Sequence, residues 1–119
     1  MNLKEYSKNV ENTRAELESK GVNNLHMLLG IVSEAGELVD VFKKNIAYGK
    51  EIDWVNVKEE IGDLMWYIVG FCNINGWDLN QILETNSAKL KERYPDKFSE
   101  DKALNRNLDA ERKILENNK

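Results

Sequence analysis

"LHMLLGIVSEAGELVDVFKK", Leu25–Lys44, is apolar on almost every turn, yet Glu34 and Glu37 stand in its middle. No proline or strand-like alternation interrupts it, so it predicts a helix from about Leu25 to Tyr48, stopped by Gly49. At about 100° per residue, Leu25, Leu28, Leu29, Val32, Ala35, Val39 and Phe42 share one broad face, the expected core. Glu34 and Glu37 fall roughly opposite, but Met27, Ile31, Leu38 and Val41 flank them there. A helix apolar nearly all round needs cover on both sides.

"EEIGDLMWYIVGFC", Glu59–Cys72, repeats the oddity with Glu60 and Asp63. Its apolar stripe reads Trp54, Val57, Ile61, Leu64, Met65, Ile68 and Cys72, while Glu60 and Asp63 align with Tyr67 near Phe71 and Ile74. Asp53 is the expected cap of this helix, and Asn75-Gly76 ends it after Ile74. Gly36 and Gly62, one beside each acidic pair, are expected to let the two helices approach closely.

Outside these two segments, a first helix is expected over Leu3–Ser19, with Gly21 ending it and Asn23 or Asn24 capping the next. A fourth is expected from an Asp78 cap, with Gln81 completing a capping box, to Tyr94. Pro95 forces a break, and Ser99 opens a last polar helix through Glu116. Short connections favour antiparallel neighbours. The fold class is therefore all-α: an antiparallel four-helix-type bundle with an additional C-terminal helix at about 99–116. The polar end helices offer too little cover, so oligomerisation, as a homodimer or homotetramer, is expected to complete it. One domain is expected over residues 1–119.

The composition, 41% hydrophobic and 32% charged over 119 residues, is that of a charge-rich globular chain. A net charge of -4 argues against a nucleic-acid polymer as partner, although a metal or local lysines can reverse the sign of a site. Cys72 is the only cysteine and sits in an apolar run, so it reads as core packing in a reducing compartment. "MNLKEYSKNV" has no apolar signal core, and Leu64–Cys72 is too short to span a bilayer, so a cytoplasmic protein without a membrane partner is expected.

On each central helix the paired acids lie one turn apart, about 5–6 Å between β-carbons, and can converge on one point. Covered acids at this density require protonation, basic partners or a cation. Lys43, Lys44, Lys50 and Lys58 lie at helix ends or turn elsewhere in this projection. Oxygen ligands with scarcely any histidine suit a hard divalent ion, Mg2+ with Mn2+ as the substitute. Glu59 and Asp53 read as helix-start charges, and Asp40 is open between the surface and the surround of the site. A di-iron centre would need Glu-x-x-His pairs; His26, the only histidine, is not in that spacing and reads as a partly buried polar or pocket residue.

"EAGE" (Glu34, Glu37) and "EIGD" (Glu60, Asp63), followed by "NSAKLKERYPDKFS", resemble the all-α nucleoside triphosphate pyrophosphohydrolases of the MazG-like superfamily over about 25–99. The chain has Ser33 where some members carry a further glutamate before the first motif, so no role of that residue carries over. The resemblance implies cleavage of a nucleoside triphosphate between its α- and β-phosphates, giving a nucleoside monophosphate and pyrophosphate. It implies Glu34, Glu37, Glu60 and Asp63 as metal ligands, with Glu34 or Glu37 orienting the water. It raises Asn86 and Lys89 to sugar or phosphate contacts, with Arg93 and Tyr94 beside them. Tyr6, Asn24, His26 and Trp66 are candidates for a base slot. The rivals are a narrower enzyme acting on phosphoribosyl-ATP or one deoxynucleotide, and a non-catalytic helical adaptor stabilised by a structural cation.

Overall fold

The computed structural model describes Met1–Asn117. Among the described residues it is all-α, with six helices and no strand. Helices α1 (Leu3–Thr13), α2 (Lys20–Tyr48) and α3 (Trp54–Ile74) belong to one compact unit, Met1–Trp77. Helices α4 (Leu79–Arg93), α5 (Glu100–Leu104) and α6 (Leu108–Glu116) belong to a second that begins at Asp78.

The helix ends follow from side chains that replace missing backbone partners. Asp53 accepts from the amides of Val55 and Asn56 at 3.1 and 3.2 Å and so starts α3 where the sequence places it. Asp78 starts α4 by accepting from the Asn80 amide at 2.9 Å. Gly49, at φ 65°, closes α2 in the left-handed region open to a residue without a β-carbon.

Three boundaries differ from expectation. Helix α1 stops at Thr13, where Arg14 turns extended, and Ser19 caps α2 by accepting from Val22 N at 3.2 Å. Gly21 therefore lies inside the first turn of α2, and Asn23 is no cap; its side-chain oxygen accepts from the Leu17 amide at 2.8 Å. The expected C-terminal helix is two. Asn105 turns its side chain back to the Asp101 carbonyl at 3.0 Å, and Asn107 caps α6 through Ala110 N at 3.1 Å. Asparagines that bond locally compete with a continuous helix.

Along α2 and α3, Asn24 meets Asn75, Met27 meets Gly70 and Gly30 meets Tyr67, so numbers rise on one helix as they fall on the other: the pair is antiparallel. Close approach occurs at Gly30 and Gly70. A β-carbon on Gly30 would collide with the Tyr67 ring, and one on Gly70 would sit 2.5 Å from Met27 Sδ. Gly36 and Gly62, expected in that role, face nothing within 4 Å. Helix α1 crosses α3, with Ser7 and Glu11 bonded to Asn73 and Thr13 bonded to the Trp66 indole.

The core of this unit is Val10, Met27, Val57, Val69 and Cys72. The expected core face of α2 is turned outward instead, with Val32 70% and Val39 64% exposed, and on α3 Trp54 and Ile61 are exposed too. The face that carries Glu34 is the one laid against α3. Leu25, Leu28, Val32, Ala35, Val39, Phe42 and Ile46 recur in alternating steps of three and four along the outer side, the spacing of a helix-pairing seam.

In the second unit α6 packs on α4, with Glu111 buried at 2% exposure between two arginines. Arg93 reaches its Oε1 at 2.7 Å and Arg106 reaches the same oxygen at 2.8 Å. Arg106 Nε also donates to Oε2 at 3.1 Å. Both arginines hold the Glu111 carboxyl down at about 2.

Candidate metal centre

Farther along the α2–α3 seam, beyond the Gly30–Tyr67 contact, Glu34, Glu37 and Glu60 bring one carboxylate oxygen each within 4.8 Å of one another. The spacing of three on α2 sets Glu34 and Glu37 on adjacent turns, and the antiparallel register supplies Glu60 from α3. Glu60 is 6% exposed, Glu34 is half-buried and Glu37 is exposed. One oxygen of Glu34 and one of Glu60, Oε2 in each, is buried without a hydrogen-bond partner.

Unpaired buried carboxylate oxygens are costly, and like charges at this distance add repulsion. The Glu34 carboxylate, then burial, then Glu37 push the Glu60 carboxyl up from an ordinary 4.5 to about 8. No lysine or arginine is ion-paired to any of the three among the described residues. Of the three forms of compensation, protonation and a cation remain. The donor set fits a hard divalent cation: three carboxylates, two with an oxygen already stripped of water and left without a partner.

Asp63 is outside this group. It is exposed on α3, on the side of Tyr6, whose phenol is pushed up by burial first and by the Asp63 charge second. The Tyr6 hydroxyl donates to the Gly62 carbonyl at 3.5 Å. Of the bases expected at helix ends or turned elsewhere, Lys44 and Lys50 come near the acids. A cleft of about 610 Å3 opens beside the acids, lined among others by Glu37, Glu60, Asp40, Lys44, Lys50 and Asn56. Asp40 is tied to Lys44 at 2.8 Å and Lys43 at 3.5 Å. The sequence signal for this lining was the Gly49 turn, after which Lys50 and Glu51 in the connection to α3 join the cleft.

The base-slot candidates of the first unit lie among its helix contacts. Asn24 exchanges bonds with Asn75, the Trp66 indole donates to Thr13 at 2.9 Å, and His26 meets the edge of Tyr67 with its Nδ1 buried and unpartnered. On α4, Asn86 is exposed and Lys89 half-buried, whereas Arg93 is committed to Glu111 and lies against the Tyr94 ring.

Residues 22–98 match the model of the MazG nucleotide pyrophosphohydrolase domain, a span that takes in all three clustered acids and the α4 residues. The chain belongs to the MazG nucleotide pyrophosphohydrolase family. No curated protein and no solved structure matches it. The MazG domain and the carboxylate cluster together make it a metal-dependent hydrolase of the pyrophosphohydrolase type. The match ends at residue 98, so α5 and α6 lie beyond it. Among the described residues no helix is long and apolar enough to cross a membrane.

Proposed function

We propose that this MazG-family chain hydrolyses nucleoside triphosphates between the α- and β-phosphates, releasing a nucleoside monophosphate and pyrophosphate, with Mg2+ as its metal. The observation that carries the reading is the Glu34–Glu37–Glu60 group, with Glu60 buried, its Oε2 without a hydrogen-bond partner and its carboxyl pushed up to about 8 by the two neighbouring acids and burial. Bound there, the metal would neutralise phosphate oxygens and polarise the bond under attack.

The chain's own residues do the rest. Glu34 and Glu60 would hold the ion, and Glu37, the most open of the three, orients the attacking water and accepts its proton. The water oxygen joins one phosphoryl group, and the bridging oxygen leaves with the other. The family resemblance gives Asp63 to the same ion and Asn86 and Lys89 to the sugar or phosphates; the Arg93 guanidinium already has Glu111 as its partner. The outward seam of α2 supports self-association, two chains each contributing α2 and α3 to a four-helix bundle.

The test is incubation with each common nucleoside triphosphate and Mg2+, with separation of the products. Monophosphate plus pyrophosphate is expected; diphosphate plus orthophosphate, or no release across the panel, would contradict the reading.

A further inference from the structure

The cleft beside the acids carries lysines in its lining that the metal reading leaves unused. Three carboxylates outweigh one divalent ion, so a polyanionic ligand entering the cleft needs a further positive charge that is not already committed. Two lysines line the cleft. Lys44 is spent on Asp40 at 2.8 Å. Lys50 makes no ion pair among the described residues. Glu51, the next residue, also lines the cleft and is not bonded to it.

The position of Lys50 is built. Gly49 takes φ 65° and its amide donates to the Asn45 carbonyl at 2.9 Å, which ends α2. The Asn45 side chain then donates to the Lys50 carbonyl at 2.7 Å, fixing the backbone of a residue that lines the cleft. A lysine held this way presents a mobile point charge with three donors, suited to a phosphate group whose position is set by something else.

The geometry points to Lys50 as the residue that binds the departing pyrophosphate end of the substrate, and so as the determinant of triphosphate over shorter phosphate chains. This assignment rests on the proposed reaction at the neighbouring acids. Losing one charge-assisted contact of this kind costs roughly tenfold or more in affinity.

Calorimetry of inorganic pyrophosphate binding to the Mn2+-loaded protein tests it without turnover. Lys50→Ala is expected to weaken pyrophosphate roughly tenfold, with Mn2+ binding to the free protein unchanged, Lys50→Arg restoring most of the affinity, and Lys58→Ala, off the cleft, without effect. In steady-state assays Lys50→Ala raises KM for the triphosphate more than it lowers kcat. Equal pyrophosphate affinity in wild type and Lys50→Ala would overturn the assignment, as would a wild type that binds none. Wild-type pyrophosphate binding lost in Lys50→Ala, but with no triphosphate turnover in either protein, would keep the Lys50 site and remove the proposed reaction instead.

Discussion

Glu60 and Glu111 are both buried carboxylates, at 6% and 2% exposure, and their environments drive them in opposite directions. Glu60 faces two other acids and rises to about 8; Glu111 faces two arginines and falls to about 2. Burial raises both, so the sign is decided by the neighbours. A buried acid whose charge is met inside the chain holds structure together. One that faces only other acids favours its neutral form unless a cation from outside replaces the proton. The first kind sits on α6, beyond the family match, and the second on the seam the family match covers.

The largest effect that separates them is on turnover. Glu60→Gln keeps the shape and removes the ligand charge, so pyrophosphate release should fall at least about 100-fold while the helical circular dichroism survives. Asp63→Asn sharpens the same point: a comparable loss would show that Asp63 joins the ion although it stands apart here, and wild-type turnover would leave the site to Glu34, Glu37 and Glu60.

Glu111→Gln should act on stability instead. It leaves Arg93 and Arg106 without the carboxylate they share, and breaking one partner of a buried pair is more damaging than replacing the set. A drop of several degrees in melting temperature is expected, larger than for the exposed pair Arg112–Glu116, removed by Glu116→Gln. Equal melting temperatures for the two variants would break the contrast.

The pH dependence of stability should carry both signs. For Glu60 the folded carboxyl is raised, so its contribution is full below pH 4.5 and is lost as pH climbs through about 8 in metal-free protein. For Glu111 the folded carboxyl is lowered, so its contribution is present above pH 4.5 and is lost as pH falls through about 2. Denaturant melts across pH should show the alkaline loss vanish in Glu60→Gln and the acid loss shrink in Glu111→Gln.

Much of the site was legible from residue spacing. Acids three apart on two long helices, joined by a short turn, could converge in few ways, and Asp53 and Asp78 set the starts of α3 and α4 by a local bond that needs no tertiary context. The inner face of α2 was not legible, because a helix apolar on two sides gives periodicity no way to choose between them. Gly30 and Gly70 are the contact glycines because Tyr67 and Met27 stand opposite, a fact of register between helices. The break at Asn105–Asn107 came from asparagine side chains bonding a few residues along, against an otherwise helical pattern, whereas at Arg14 the backbone itself turns extended.

The glycines give the smallest test. Gly30→Ala should destabilise by forcing Tyr67 aside, whereas Gly62→Ala, with open space around it, should be neutral or gain up to about 1 kcal/mol from helix propensity.

At Glu60 a divalent cation should take the place of the proton that the neighbouring acids favour. Calorimetric titration of metal-free protein with Mn2+ at pH 6, repeated in buffers of different ionisation enthalpy, measures it directly. Binding accompanied by proton release, with both lost in Glu60→Gln, is expected. Binding that releases no proton and survives Glu60→Gln, or no binding, would contradict it.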